Sequence, residues 1–432
     1  MLGRVRRIAP NRDASSSPLP ARGGGREPVL PTVIRAPRQS SAGHPAAKRR
    51  HSTWRRTALA ALLVLAAGAL AAFIAAATVS AYAFSIIWEP PGAVAAAAAD
   101  AQAAAARYLA TQQGSVDNSM FGAVSADDKA RFPASNDTVA AASRYTIVVM
   151  SYNRRLSILP LIINKLGSCP SVAEVLLVWN GDDPPSLDIL DSPAPVRIRT
   201  EHKNNLNNRM KLDPGYKTDA VFIADDDVLF RCADLERAFA RWQDNRQALV
   251  GFFPRLAVVG PPSDYLHERI VFQRGQYNVM LTAGEFVSRQ LLERYWSKQY
   301  NEGRELVARL TNCEDILLTY VAAGALLETQ QQQQQQQKEL GSKGGREQQR
   351  RRGHVSWMQP SRRLDISFLS GVGISKGHGV HIAMRRQCVA QFSEWYGADL
   401  LQTQQVDWKA DGRGGWLGRP MCRLTSLGCV YL

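Results

Sequence analysis

An uncharged stretch near the N-terminus limits what this chain can fold into more than any other feature does. Residues 57–88, a run of 32 residues, contain no charged side chain. A bilayer core about 30 Å thick needs about 20 apolar residues, so the run is long enough to cross a membrane. A buried core helix is the alternative, but the length of the run and the basic cluster at residues 48–56 favour a transmembrane anchor.

The flanking charge predicts how this anchor is oriented. Positive charge before the span places the leader in the cytoplasm and the rest of the chain in the lumen of the Golgi or endoplasmic reticulum, as a single-pass type II membrane protein. A cleaved signal peptide has a shorter apolar core and a shorter leader, so we expect the anchor to be retained. The Arg- and Ser-rich, acid-poor leader also suits a transit peptide, which leaves a plastid location as the alternative.

The net charge of +15 belongs mainly to the leader. Residues 1–56 hold 13 of the 53 Lys and Arg residues but only two acidic residues, Asp13 and Glu27. The rest of the chain has 40 basic and 36 acidic residues and is therefore close to neutral, which argues against nucleic acid as a partner. Because the leader has almost no hydrophobic periodicity, we predict a disordered cytoplasmic tail.

Composition divides the chain after the leader (1–56) and the anchor (57–88) into three parts. Residues 89–143 are Ala-rich with few large apolar side chains, which predicts a stem that holds the globular domain away from the membrane. That domain occupies residues 144–400, and residues 401–432 form a C-terminal tail. Within the domain, eight consecutive glutamines and a Lys-, Gly- and Arg-rich stretch at residues 329–354 predict a disordered insertion.

Two features suit a lumenal domain. The triplet that begins at Asn136 is an N-glycosylation sequon, although such triplets are common by chance. Six cysteines, an even number, are scattered without metal-ligand spacing, as expected in an oxidising compartment. Buried free thiols are the alternative for any one of them.

Short apolar strands alternate with helical patterns in the globular domain. The strands cover residues 145–150, 174–179, 196–200 and 220–224, and a helical pattern follows the first of them through Leu166. Such strands are typical of a mostly parallel sheet with both faces covered, so the fold class is α/β. Further along, we predict a strand at residues 277–282, a helix near residues 285–296 and another helix from about residue 312.

Three adjacent carboxylates, Asp225, Asp226 and Asp227, directly follow the fourth strand. In open α/β sheets, ligands bind outside the carboxyl ends of the strands. The three carboxylates repel one another, so we expect a compensating cation. Mg²⁺ and Mn²⁺ take oxygen ligands and often link a few carboxylates to substrate phosphates. A solvated acidic turn is the alternative.

Polar side chains at the neighbouring strand ends strengthen this hypothesis. Asn180 ends the second strand, where an amide can bond a uracil or a ribose. Arg154 follows the first strand, and Arg209 follows an Asn-rich stretch that begins at Asn204. Arginine suits phosphate groups, although each of these residues also fits an ordinary surface position. No Gly-rich phosphate-binding loop precedes a helix, which argues against kinases, ATPases and dehydrogenases.

A series of motifs, taken in order, resembles the exostosin-type glycosyltransferase domain, glycosyltransferase family 64. The motifs are Tyr-Asn-Arg at 152–154, Val-Trp-Asn at 178–180, the acidic segment at 219–227, Ala-Phe-Ala-Arg-Trp at 238–242, Val-Gly-Phe-Phe-Pro at 250–254, Tyr-Asn-Val-Met-Leu-Thr-Ala-Gly at 277–284 and Asn-Cys-Glu-Asp-Ile at 312–316. The resemblance spans roughly residues 145–396. The segment from Gly373 to Cys388 looks closer to plant and algal members than to animal ones.

The resemblance implies a GT-A fold and a retaining transfer from a UDP-sugar, typically UDP-N-acetylhexosamine, with Mn²⁺ or Mg²⁺. The acceptor would be a glycan or a glycolipid, and the enzyme would be a possible homodimer. Asp227 would bind the metal. The nucleotide-sugar would be bound by Arg154, Asn180, Asn204, Arg209, Asp225 and Asp226.

The resemblance also assigns the reacting side of the site. Asp315, with Glu314 beside it, would lie next to the anomeric carbon of the sugar. Cys313 and Cys388 match a disulfide pair of the family, and His381 and Arg385 would form a wall of the site. The sequence departs from the family at Glu314, where Asp is frequent. The Trp-His-Arg triplet of animal members is also absent, and His378 stands at the position of its arginine.

Two other hypotheses remain open at this point. A GT-A transferase with another donor, UDP-glucose or GDP-mannose, would need the same residues. A non-catalytic lumenal binding or scaffold protein could keep the fold alone. The acidic triplet together with Glu314 and Asp315 favours an enzyme, because a binding module has no need of both carboxylate groups.

Overall fold

The computed structural model describes residues 46–113, 138–152, 155–339, 353–366 and 378–407. It forms two compact units, residues 1–72 and residues 73–432. Helix α1, Ala46–Ile87, begins in the first unit. It includes residues 46–56 of the leader, for which the prediction of disorder was wrong, because the helix of the apolar run extends back through the basic cluster; residues 1–45 lie outside the described residues. By length and composition alone, its part Ala60–Ile87 is sufficient to cross a membrane. Arg154, the sequon at Asn136 and most of the predicted C-terminal tail lie outside the described residues.

A seven-stranded mixed sheet forms the centre of the second unit. Strands β1 (Tyr145–Ser151), β2 (Val172–Asn180), β3 (Val196–Glu201) and β4 (Ala220–Asp225) confirm the four strands expected from the sequence. They pair in parallel in the order β3-β2-β1-β4. Alternate residues of β1 enter different hydrophobic clusters on the two faces, which is why these strands are apolar throughout.

The sheet continues beyond β4 with three short strands. They are β6 (Leu249–Gly251), β11 (Gly284–Ser288) and β12 (Val355–Trp357). Strand β11 is antiparallel to both β4 and β6, whereas β12 is parallel to β6. The sheet is therefore parallel on one side and mixed on the other.

The described residues also form three smaller sheets beside the central one. Strand β5 (Val228–Phe230) pairs with β13 (Arg363–Asp365). The other short strands are β7 (Pro254–Val258), β8 (Asp264–Leu266), β9 (Gln276–Tyr277), β10 (Val279–Met280) and β14 (Gln404–Gln405). Strand β7 pairs with β8 and β10, and β9 pairs with β14.

Helices cover the sheet on both faces. Those before β6 are α2 (Pro91–Gln113), α3 (Thr138–Ser143), α4 (Leu159–Gly167) and α5 (Cys232–Asp244). Those after it are α6 (Glu268–Arg274), α7 (Arg289–Tyr295), α8 (Asn301–Leu310), α9 (Glu314–Glu339) and α10 (His378–Tyr396). The architecture confirms the α/β class.

The helix expected near residues 285–296 begins later than the sequence indicates. Residues Gly284–Ser288 form strand β11, and helix α7 starts at Arg289. The Ser288 hydroxyl accepts a hydrogen bond from the Leu291 amide and caps the helix. Pairing with β4 and β6 on both sides decides the conformation of these five residues, because it satisfies their backbone groups.

The glutamine run also differs from its prediction. Helix α9 continues through residues 330–337 to Glu339, where the sequence indicates a disordered insertion. Glutamine has a good helix propensity, so a helix started by a buried segment extends through it. At the other end of the predicted insertion, His354 is buried and its Nε2 lies 3.0 Å from the Asn278 carbonyl oxygen.

Part of the predicted stem lies against the globular domain. Helix α2 packs along α5, and five of its alanines are buried: Ala97, Ala98, Ala101, Ala104 and Ala105. Small side chains on one face let two helices approach closely, so an Ala-rich segment can pack without large apolar residues. Within residues 89–143, this helix therefore does not extend away from the domain.

Candidate active site

A cleft of about 590 Å³ opens where the parallel strands end. The ends of β1, β2 and β4 contribute to it, as expected for a ligand site in an open α/β sheet. The start of α9 and one face of α10 also line it. The cleft is lined by ten of the residues singled out from the sequence: Asn180, Asn204, Arg209, Asp225, Asp226, Asp227, Glu314, Asp315, His381 and Arg385.

The acidic triplet is not a solvated turn. Asp226 and Asp227 are buried, whereas the Asp225 side chain is 33% exposed. Asp226 accepts a hydrogen bond of 2.5 Å from the Ser151 hydroxyl and pairs with Arg155. Burial raises the pKa of Asp226. Burial and the charge of Asp225 raise the pKa of Asp227 to about 7.

Arg155 lines the cleft although the sequence did not single it out, and the same is true of Arg255. The Nη1 of Arg155 contacts Asp226 and lies 2.5 Å from Asp227 Oδ2. From the sequence, Arg154 was expected to bind the nucleotide-sugar, but Arg154 lies outside the described residues. Two arginines follow each other in the sequence after β1, and the residue pattern alone does not show which of them contacts the carboxylates.

The Asn-rich stretch builds one wall of the cleft. Asn180 donates a hydrogen bond of 3.0 Å to Asn204 and accepts one of 2.8 Å from Asn208. Asn205 accepts a hydrogen bond from the Asn207 amide and caps the short 3₁₀ helix Leu206–Met210. The stretch is thus a structural support that holds the Asn180 amide in place at the end of β2.

Arg209 connects the triplet to the start of α9. Its Nη1 donates to Asp225 Oδ1 at 2.8 Å and to the Thr282 hydroxyl at 3.0 Å. Thr282 in turn donates to Glu314 Oε1 at 3.2 Å, and Arg209 Nη1 lies 3.9 Å from the same oxygen. Burial raises the pKa of Glu314, and the Arg209 charge opposes this.

Asp315 lies in the first turn of α9 and is fully buried. Its Oδ2 accepts a hydrogen bond of 2.6 Å from Arg385 Nη1, which also donates to the Tyr265 hydroxyl at 2.8 Å. Among the described residues, Asp315 Oδ1 and Glu314 Oε2 have no hydrogen-bond partner. Two acceptor oxygens therefore remain for a ligand at this end of the cleft.

His381 and Asn312 extend this group of polar side chains. Arg385 Nε lies 3.0 Å from His381 Nε2, and His381 Nδ1 lies 3.0 Å from Asn312 Nδ2. The contacts join the loop before α9 to one face of α10. His381 and Arg385 thus occupy the cleft wall, where the sequence expected them.

Comparison with protein families identifies the domain that contains this cleft. The family model described as the glycosyl transferase family 64 domain matches residues 145–412, which is more than half of the chain. The chain belongs to glycosyl transferase family 64. This confirms the resemblance that the sequence motifs indicated.

Curated relatives of the family 64 domain have plant and animal sources. Glucosamine inositolphosphorylceramide transferase 1 of Oryza sativa subsp. indica is 35% identical over 256 residues, 59% of this chain and 31% of that protein. Glycosylinositol phosphorylceramide mannosyl transferase 1 of Arabidopsis thaliana is 27% identical over 216 residues, 44% of this chain and 64% of that protein. Exostosin-like 2 of Homo sapiens is 29% identical over 190 residues, 41% of this chain and 57% of that protein. The chain thus spans about a third of the length of the rice relative.

Two disulfides brace the family 64 domain. Cys313–Cys388 confirms the predicted pair and joins the start of α9 to α10. Asp315 and Arg385 lie two and three residues from its cysteines, so the bridge holds their elements together. The second bridge, Cys169–Cys232, was not expected from the sequence. It joins the end of α4 to the start of α5.

The residues of the cleft suit a divalent cation that is shared with a ligand. Among the described residues, no group of three His, Cys, Asp or Glu side chains is arranged to hold a metal ion alone. Asp225 and Asp227 nevertheless both line the cleft. Mg²⁺ and Mn²⁺ are commonly bound by one or two carboxylates together with substrate phosphates. A nucleoside diphosphate in the cleft would complete such a set.

Proposed function

We propose that this protein is a membrane-anchored, metal-dependent retaining glycosyltransferase of the GT-A type, in the Golgi membrane. It moves an N-acetylhexosamine from a UDP-sugar to a glycolipid of the inositolphosphorylceramide class. The observation that carries this proposal is the convergence of the acidic triplet, Arg209 and the Asp315–Arg385 pair in one cleft. A lectin-like module would not need both carboxylate groups, the acidic triplet and the Glu314–Asp315 pair.

The donor fits the side of the cleft formed by the strand ends. Asn180, supported by Asn204, offers an amide to the uracil or ribose, and Arg209 offers a guanidinium to the diphosphate. Asp225 and Asp227 would hold Mn²⁺ or Mg²⁺. When bound, the cation stabilises the negative charge that develops on the departing diphosphate.

The acceptor reacts on the side of α9. The bond between the anomeric carbon and the diphosphate oxygen breaks and leaves its electron pair on the diphosphate, the acceptor hydroxyl oxygen forms the new bond to the anomeric carbon, and the hydroxyl proton passes to the departing diphosphate. The sugar becomes positively charged in the transition state, by analogy with glycoside hydrolysis. Asp315 offers a carboxylate oxygen to this charge, and Arg385 fixes the orientation of the carboxylate through the other oxygen.

The two plant relatives support the acceptor more firmly than the donor. One name contains inositolphosphorylceramide and the other glycosylinositol phosphorylceramide, whereas the first names glucosamine and the second a mannosyl transfer. A second candidate function is therefore transfer of mannose from GDP-mannose to the same class of lipid. The same cleft residues would serve a guanine nucleotide.

A donor screen tests the proposal. The full chain in nanodiscs that contain inositolphosphorylceramide is incubated with MnCl₂ and UDP-N-acetylglucosamine, UDP-glucose or GDP-mannose, and glycolipid products are measured by mass spectrometry. We expect product with the first donor and none in excess EDTA. Asp227→Ala should abolish turnover, while Asp244→Ala, at an exposed position, should not. Full turnover in EDTA, or no product from any donor, would overturn the proposal.

A further inference from the structure

The end of the apolar span is attached to the globular domain. The Tyr82 hydroxyl donates a hydrogen bond of 3.0 Å to the Arg363 carbonyl oxygen, and the Arg362 guanidinium lies 5.6 Å from the centre of the Tyr82 ring. Ser85 accepts a hydrogen bond from Arg362, and Ile86 is fully buried. Because these contacts come from one face of a helix, they fix this end of α1 against the domain.

Glu89 adds a second point of attachment. It is the first charged residue after the apolar run. Its carboxylate accepts hydrogen bonds from the backbone amides of Cys232 (2.6 Å) and Ala233 (3.0 Å) at the start of α5. Its Oε2 also lies 2.8 Å from Lys165 Nζ. The carboxylate satisfies amides that a helix start leaves unpaired, so it serves as the cap of a helix far along the chain.

Both attachment points adjoin the cleft. Arg363 begins strand β13, and Asp365, two residues later, lines the cleft. A strand rises about 3.3 Å per residue, so roughly 7 Å separates the contact of Tyr82 from the cleft wall. Helix α5, which Glu89 caps, starts five residues after Asp227. The cleft is therefore braced directly by the segment that leaves the apolar span.

Exposed apolar side chains lie on this segment, on the helix α4 that contacts it and in the turn before α4. Phe84, Ile87 and Trp88 are exposed at the end of α1. Lys165 Nζ donates to the Ile87 carbonyl oxygen at 3.2 Å. Leu161 lies one turn before Lys165 on α4 and is 39% exposed. We call the exposed side chains Phe84, Ile87, Trp88, Leu161 and Leu156 the apolar rim. Leu156 directly follows Arg155 of the cleft.

The helix is long enough to cross a membrane without its attached end. Between Ala60 and Ala81 it has about 22 residues, or roughly 33 Å at 1.5 Å per residue, against a bilayer core of about 30 Å. The bilayer surface would then lie where the attachment begins. Exposed aromatic residues such as Phe84 and Trp88 at the end of an apolar span are typical of the membrane interface.

We propose that the apolar rim rests on the bilayer surface, so that the enzyme takes its acceptor from the membrane in which it is anchored. This rests on the proposed function for the acceptor class. The partner is a phospholipid surface, and its continuity with the apolar span argues for it. The segment after the span holds the domain against the membrane, so that the cleft lies at the level of the lipid head groups. It does not act as an extended stem that separates the domain from the membrane.

Photo-cross-linking tests the contact without relying on activity. A benzophenone amino acid replaces Leu161 in the full chain, which is placed in phosphatidylcholine nanodiscs and irradiated, and lipid adducts are measured by mass spectrometry. The matched control is Leu327 on α9, which is 40% exposed. As a positive control, the same amino acid replaces Leu65, which lies within the apolar span and should contact lipid. We expect adducts at Leu161 and Leu65, at least about tenfold above those at Leu327.

The outcomes separate this proposal from the proposed function. Adducts at Leu65 with only the Leu327 level at Leu161 would overturn contact of the apolar rim while leaving the anchor intact. No adducts at Leu65 would overturn the anchor and this proposal with it. Failure of the donor screen would overturn the transfer reaction but would leave the cross-linking result standing.

A second measurement links the contact to acceptor use. Leu161→Glu should lower kcat/KM at least about tenfold for inositolphosphorylceramide in nanodiscs and leave kcat/KM for a water-soluble inositol phosphate acceptor unchanged. Leu327→Glu should change neither value. Equal effects of Leu161→Glu on both acceptors, or no effect on the lipid, would contradict the role of the apolar rim.

Discussion

Each buried carboxylate of the cleft has a charged partner from a different segment of the chain. Asp226 pairs with Arg155 from the loop after β1, and Asp315 pairs with Arg385 from α10. Removing one partner of such a pair leaves an uncompensated buried charge, which is more costly than losing an exposed ion pair. Replacing one partner by a neutral residue of the same shape therefore tests the charge of the pair itself, through both stability and turnover.

Asp315 has a structural role and a proposed chemical role that substitution separates. A carboxylate in the first turn of a helix is favourable in itself, and replacing Asp315 also leaves Arg385 buried without its countercharge, so its loss should cost about 3–5 kcal/mol. If Asp315 also stabilises the sugar cation, Asp315→Asn should lower kcat at least about 100-fold with little change in the KM for the donor. Steady-state kinetics and thermal unfolding of the variant test both roles. A lower melting temperature with wild-type kcat would leave only the structural role.

His354 makes the stability of the domain depend on pH. Burial lowers the pKa of His354 to about 4 from its ordinary value of 6.5. The unfolded chain therefore binds this proton more readily, and stability is lost as the pH falls from about 6.5 to about 4. The loss is about 3 kcal/mol for a shift of this size.

Urea unfolding between pH 4 and 7.5 measures this dependence. His354→Gln should flatten the decrease in unfolding free energy over this range, because the variant has no group to protonate. The exposed His202 provides the control, and His202→Gln should leave the decrease unchanged. An equal decrease in the wild type and His354→Gln would assign it to other groups.

Among the secondary-structure elements, those with a strong local pattern were predictable. The four parallel strands are continuous apolar runs, and such runs fit only a sheet buried on both faces. Strand β11 has the mixed sequence Gly-Glu-Phe-Val-Ser, and its partners are distant in sequence, so only tertiary pairing defines it. Arg155 was missed for a related reason, since nothing in the residue pattern distinguishes it from its neighbour Arg154. The same holds for the contact of Glu89 with α5, which lies 143 residues away.

The Cys313–Cys388 bridge offers a test at the level of elements. It closes a separation of 75 residues, and Cys169–Cys232 closes one of 63. Replacing either pair by serine should cost about 3–5 kcal/mol of stability. Only the first pair should also lower kcat well below the melting temperature, because it fixes α9 and α10 on the reacting side. Equal kcat values in the two double variants would contradict a role for the bridge in the site.

At the scale of the whole molecule, the segment that follows the apolar span, from Tyr82 to Glu89, packs as part of the catalytic domain. Glu89 and Lys165 form a pair with side-chain exposures of only 3% and 7%. Glu89→Gln should therefore lower the unfolding free energy by about 3–5 kcal/mol, because it leaves Lys165 buried without a countercharge. Combining it with Lys165→Met should restore part of the loss. Thermal unfolding of the full chain in detergent measures this, and additive losses in the double variant would argue against the pairing.

The contact between Tyr82 and β13 has a kinetic consequence. An enzyme whose cleft is mounted at the bilayer meets its acceptor by lateral diffusion in two dimensions. Its rate should then follow the mole fraction of acceptor in the membrane and not the amount of acceptor per volume of buffer. Adding inert lipid at constant bulk acceptor would slow such an enzyme, and adding buffer would not.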